Sequence, residues 1–173
     1  MKQLSIFDKA FKKIEKKCGD GTRGYWKLFI DGASRNNPGP SGAGFLLLKD
    51  EKPFLRHGFF LGKKTNNQAE YFALLLGVFF LKQNICKGDL VLIVSDSQLI
   101  VRQLQGQYKV KKAELKPMFQ CAQQMLEGVS HNVVHVLREE NVQADALANL
   151  GIDKKIKLPE TFLNLLQNYD IPV

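Results

Sequence analysis

Apolar residues in this chain come in runs of two lengths, and the difference predicts a sheet covered by helices. Three runs, YWKLFID (25–31), AGFLLLKD (43–50) and KPFLRHGFFLG (52–62), have strand length and are broken by Gly, Pro and charged residues over short connections. That spacing predicts an antiparallel meander. NQAEYFALLLGVFFLKQN (67–84) has helical length and apolar residues on nearly every side, as in a deeply buried helix. DLVLIVSD (89–96) is apolar almost throughout, the pattern of a strand covered on both faces, and belongs centrally beside the first strand. The pattern then predicts a helix over 97–105, a linker GQYKVKKA (106–113) and a helix over 114–127 with Pro117 in its first turn. A strand NVVHVL (132–137) and a helix VQADALANL (142–150), stopped by Gly151, follow. The order β-β-β-α-β-α-α-β-α implies an α/β fold with a five-stranded mixed sheet flanked by helices.

Two segments flank that unit. Residues 1–24 form a leader in which Phe7, Phe11 and Ile14 stand at helical spacing beside Lys9, Lys12, Lys13, Lys16 and Lys17, ending in the turn-forming CGDGTRG. It reads as a short amphipathic helix docked with its lysines outward, or as a nucleic-acid-binding arm. Residues 152–173 form a tail with a short helix in PETFLNLLQN. The expected domain unit is 25–151, and 173 residues suffice for one domain with a substantial core.

Composition narrows the partners. Twenty-five basic against 17 acidic residues give +8, and any acids committed to a site leave the remaining surface more basic still. That balance suits a polyanion, although it also serves solubility alone. A second lysine cluster, Lys109, Lys111, Lys112 and Lys116, favours phosphate contact. Cys18, Cys86 and Cys121 are odd in number and widely spaced, which reads as free thiols in a reducing compartment. Charges interrupt the apolar residues of the N-terminus, and no stretch reaches the roughly 18–20 apolar residues of a membrane span. The expectation is a cytoplasmic protein without membrane association.

Four carboxylates carry the candidate chemistry: Asp31 in FIDGASRNNPGPSGAG, Glu70 in TNNQAEY, Asp96 in LIVSDSQ and Asp145 in REENVQADALANLG. Each ends a predicted strand or opens a predicted helix. Asp31 is expected to end the first strand, with Gly32 turning the chain sharply behind it. Glu70 is expected in the first turn of the buried helix, capped by Thr65 or Asn66. Taken singly, Asp31 could cap a turn, and Glu70 and Asp145 could complement helix dipoles. Brought to one sheet edge, the four repel one another and lose hydration, a cost that divalent cations relieve. Asp96 adds to that reading because ligands gather at the carboxyl ends of parallel strands. The amides of Asn66, Asn67 and Gln68 suit base edges and 2′-hydroxyls of a minor groove.

In this order and spacing, the segments from about Tyr25 to about Leu150 resemble the type 1 ribonuclease H family. The resemblance implies a ribonuclease H-like fold with strand order 3-2-1-4-5 and cleavage of the RNA strand of RNA/DNA hybrids. It also implies two Mg²⁺ ions on Asp31, Glu70, Asp96 and Asp145, with Mn²⁺ as substitute, and products bearing 5′-phosphate and 3′-hydroxyl ends. Asp31 would bridge both ions. Ser34, Asn37, Thr65, Asn66, Asn67 and Gln98 are the implied substrate contacts. The linker lacks the family's long Trp-rich basic protrusion, as in the branch without it, and Tyr108 with Lys109, Lys111 and Lys112 could substitute in part. His135 matches a family histidine in count but falls inside a strand, and Arg138 is the alternative electrostatic partner. His57 and His131 read as incidental. A monomer is expected. A double-stranded RNA preference on the same fold, and a non-catalytic binding module, are the competing readings.

Overall fold

The computed structural model describes residues 23–173; the helix expected in the leader and the thiol of Cys18 lie outside the described residues. One sheet runs in the order β3-β2-β1-β4-β5, from β1 (Tyr25–Ser34), β2 (Gly39–Lys49), β3 (Lys52–Lys64), β4 (Leu90–Ser95) and β5 (Ser130–His135). The first three strands form the expected antiparallel meander, whereas β1–β4 and β4–β5 pair in parallel. The helices are α1 (Asn66–Lys82), α2 (Gln98–Leu104), α3 (Lys116–Leu126), α4 (Val142–Lys154) and α5 (Glu160–Asn168). Among the described residues no helix is long and apolar enough to cross a membrane.

The apolar pattern explains the layering. α1 is buried over most of its length, and Leu28 and Ile30 of β1 press on it where Gly77 leaves room. A capping box starts it: Gln68 N–H donates to Thr65 Oγ1, and Thr65 N–H donates to the Gln68 side chain. The tail closes the outside of this layer. Phe162, Leu166 and Ile171 are buried in the main core, and Phe162 meets Phe79 edge to face at 5.4 Å. A smaller cluster of Leu92, Val94, Val134 and Val136 fills the opposite face.

On that opposite face α4 crosses a row of glycines. A Cβ on Gly42, Gly44 or Gly58 would lie 1.8–2.3 Å from backbone oxygens of Ala148, Ala144 or Leu147. The helix therefore rests directly on the sheet backbone, at a separation only glycine allows.

Three local expectations change. β1 does not end at Asp31 but continues to Ser34, because β2 keeps pairing with it after β4 stops at Phe29. Gly32 accordingly is not a turn; its missing side chain admits Ala69 and Glu70 of α1, whose backbone atoms would stand 2.2 Å from a Cβ. Gly151 does not stop α4, which runs on to Lys154 and ends at Lys155 in the left-handed region, φ 47°. Gly151 is instead a contact position, 2.5 Å from Phe59 N if it bore a Cβ. Cys86 and Cys121 are free thiols.

Candidate active site

Parallel pairing of β1 with β4 ends at Phe29 and Val94, and the two strands part there. Into the crevice project Asp31 from β1 and Asp96 from the residue after β4. Glu70 enters from α1 and Asp145 from the first turn of α4. Glu70 lies beyond the first turn of α1, because Thr65 is the cap, and it reaches the site through the close approach at Gly32, whose N–H it accepts. All four carboxylates line a cleft of about 420 Å³ together with Ser34, Arg35, Asn66, Arg138 and Asn149.

The electrostatics of this cleft are those of crowded acids. Burial, then the charges of Asp96 and Asp145, push the Asp31 carboxyl up to about 7 against the opposing pull of Arg138. The Asp96 carboxylate beside it adds to the same upward push on Asp31. Burial, then Asp31 and Asp96, hold Glu70 well above the ordinary carboxylate range despite the Gly32 N–H and Arg138. Glu70 Oε2 is buried and has no hydrogen-bond partner among the described residues.

These facts bear on whether a cation fits. Four oxygen donors, one of them orphaned, are the chemistry a hard divalent ion requires. Among the described residues no three His, Cys, Asp or Glu groups converge as a finished cage. The four carboxylates instead face one cleft from four elements, and it is this all-oxygen lining, with the unpartnered Glu70 Oε2, that a divalent ion would match. The donor set fits.

Other anticipated residues divide between two places. Ser34 Oγ donates to Lys64 O at 2.9 Å, and Asn37 Oδ1 accepts the Asn66 N–H at 2.8 Å, tying the turn after β1 to the start of α1. Thr65 caps α1 and Gln98 opens α2. Asn67, Tyr108 and Lys109 are not in the carboxylate cleft but line a second hollow of about 490 Å³ with Lys111, Lys112 and an apolar floor of Leu99 and Leu115. Arg102 stacks over the Tyr108 ring at 5.1 Å and donates to its hydroxyl at 3.0 Å. His135 is exposed at the end of β5, its Nε2 3.1 Å from the Asp96 carbonyl oxygen. Arg138 is largely exposed, its Nη2 3.5 Å from Asp145 Oδ1. His57 stacks on Phe80 and Phe59, away from the cleft.

Three polar residues in the site escape the sequence reading. Asn141 is buried and donates to Asp96. Asn149 donates to the Asp145 carbonyl at 3.1 Å, and Arg35 bridges Asp153 at 2.8 Å and Asn149 at 3.4 Å. The spacing of Asn141 and Asn149, four residues either side of Asp145, was the available signal, since such positions share a helix face.

Comparison with known proteins places this geometry in context. A family model described as reverse transcriptase-like matches residues 29–151. Ribonuclease HI of Halobacterium salinarum is 37% identical over 128 residues, which are 72% of this chain and 63% of that protein. A ribonuclease H of Coxiella burnetii is 33% identical over 147 residues, 75% of this chain and 91% of the relative. The bifunctional protein Rv2228c of Mycobacterium tuberculosis is 35% identical, with the chain spanning 34% of its length. Among solved structures, ribonuclease H1 of Halobacterium salinarum superposes with TM-score 0.71 at 34% identity, over 75% of this chain and 98% of that one. LC11 ribonuclease H1, solved in complex with an RNA/DNA hybrid, gives 0.70 at 35% identity, over 75% and 97%.

Proposed function

The chain belongs to the reverse transcriptase-like family that includes the type 1 ribonucleases H, and from that premise we propose that it hydrolyses the RNA strand of RNA/DNA hybrids. Asp31, Glu70, Asp96 and Asp145 would hold two divalent cations, Mg²⁺ or Mn²⁺, and the products would carry 5′-phosphate and 3′-hydroxyl ends. The observation that carries this reading is the meeting of four carboxylates from four separate elements in one cleft, one of them with a buried oxygen that has no partner among the described residues. The hybrid seen with LC11 ribonuclease H1 supports the substrate class.

Divalent ions, when bound, supply an activated water and stabilise charge on the phosphate and the departing 3′-oxygen. The chain's own residues do the rest. Asp31 and Glu70, whose carboxyls burial and neighbouring charge push upward, would have to be ionised to hold the ions, so binding should strengthen with rising pH. Arg138, exposed beside Asp145, is free to swing toward a phosphate or the product, and His135, held to the Asp96 carbonyl, is the poorer candidate for a moving proton carrier. Asn37, Asn66 and Ser34 present polar groups where the RNA strand would pass, with Thr65 and Gln98 beside them. Asn67, Tyr108 and Lys109 offer a second grip, apolar below and cationic at the rim, suited to sugars and phosphates of the DNA strand. The catalytic unit on this reading is 25–151, with 152–173 completing its core.

The test is cleavage of labelled RNA as hybrid, as RNA duplex and alone, with Mg²⁺ and with chelator. Hybrid-selective, chelator-sensitive cutting is expected. Asp31→Asn should lower it by roughly a hundredfold or more, since several kcal/mol of charge stabilisation depend on the site. Activity of that variant within about tenfold of wild type, or cutting that prefers the RNA duplex, would overturn the reading.

A further inference from the structure

Asn141 occupies the N-cap of α4, yet its side chain makes no capping hydrogen bond. An Asn there ordinarily satisfies a helix N–H, worth about 1 kcal/mol. Here the amide turns inward, is 2% exposed, and donates twice from Nδ2: to Ile30 O at 2.9 Å and to Asp96 Oδ1 at 2.9 Å. Its own Oδ1 is left buried without a partner among the described residues. A lost cap and a stranded acceptor are both unfavourable, so helix stability does not explain the arrangement.

The two acceptors do explain it. Ile30 lies one residue past the last β1–β4 pair, where β4 no longer supplies a donor, and it immediately precedes Asp31. The Asn141 amide takes over that carbonyl and with the same nitrogen holds one oxygen of Asp96. Four residues on, the same helix carries Asp145. One neutral side chain thus fixes the strand before Asp31, the rotamer of Asp96 and the root of Asp145. A Lys or Arg in its place would hold the same acceptors but would compete as a cation; a neutral amide does not.

We propose that Asn141 is a positioning residue that sets the Asp96 carboxylate, and the separation of β1 from β4, for cation binding. This rests on the carboxylate cleft being the cation site. The test is Mn²⁺ titration by calorimetry, alongside thermal melting, of the wild type, Asn141→Ser, Asp96→Asn and the double variant. Serine is as good an N-cap as asparagine but too short to reach Asp96, so it spares the helix start; Asn141→Gly, also mild at that position, is the second variant. Mn²⁺ affinity should fall roughly 10- to 100-fold in Asn141→Ser. In the Asp96→Asn background the same change should cost less than about twofold, because the two act as one unit. Unchanged Mn²⁺ affinity with a lowered melting temperature would make Asn141 merely structural and overturn the proposal. A wild-type protein that takes up no Mn²⁺ would instead bring down the cation reading itself.

Discussion

Asp89 shows how one residue can hold an end of a sheet. Its carboxylate accepts from Trp26 Nε1 at 2.8 Å, Gly24 N at 2.9 Å and Cys86 N at 3.0 Å, joining the start of β1 to the turn before β4. Burial alone would raise its pKa, but these three donors and nearby Lys49 outweigh burial and hold it below the ordinary value. A depressed folded pKa means the stabilisation is complete above the unfolded value and is lost as pH falls through the folded one. Asp89→Ala should therefore cost roughly 2–4 kcal/mol at neutral pH, with Trp26 Nε1 stranded in the core, and less in acid. Urea denaturation at several pH values checks this; a variant equally destabilised at pH 2 and pH 7 would refute it. Residues of this kind differ in how readable they are. The site carboxylates were legible because each sits in a distinctive local string, whereas Asn141 was not: asparagine before a helix reads as a cap, and only the tertiary fold shows that its amide turns elsewhere.

At the scale of elements, α4 and the glycine row beneath it decide where Asp145 stands. A methyl group on Gly44 would lie 2.3 Å from Ala144 O and 2.4 Å from Ala148 N, both backbone, so the helix itself would have to lift. Overpacking of this kind costs about 1–3 kcal/mol. Gly44→Ala should lower both the melting temperature and hybrid cleavage, because the turn that lifts carries Asp145. Leu150→Ala, on the exposed side of the same helix, should change cleavage little. Equal cleavage by both variants would show that the helix position is not critical. Strand and helix succession was readable from apolar run length, and so was the capping of α1 near Thr65. The ends of β1 and α4 were not, because a glycine in sequence looks like a turn or a stop, while here Gly32 and Gly151 serve close approach between layers.

For the whole molecule, the strand order places the parallel crevice at its centre and the apolar tail helix against α1. Phe162, Leu166 and Ile171 are each no more than 4% exposed. At roughly 1.5–3 kcal/mol per buried side chain, deleting residues 159–173 should remove about 5 kcal/mol or more, a large share of a typical domain's stability. Urea midpoints of the full and shortened chains test this, and equal midpoints would refute it. Periodicity foresaw the tail helix but not its burial, since an amphipathic segment does not name the surface it will cover. The site itself depends on the whole in another way. Its four carboxylates come from stretches of chain far apart, and they meet only once β1 has paired in parallel with β4 and α4 has settled into its glycine row. Pairings that distant form late in folding, after the local helices and hairpins. On the proposed reading, a half-made chain emerging during synthesis would therefore carry no cutting edge, and the capacity to cleave a phosphodiester would arrive only with the finished fold.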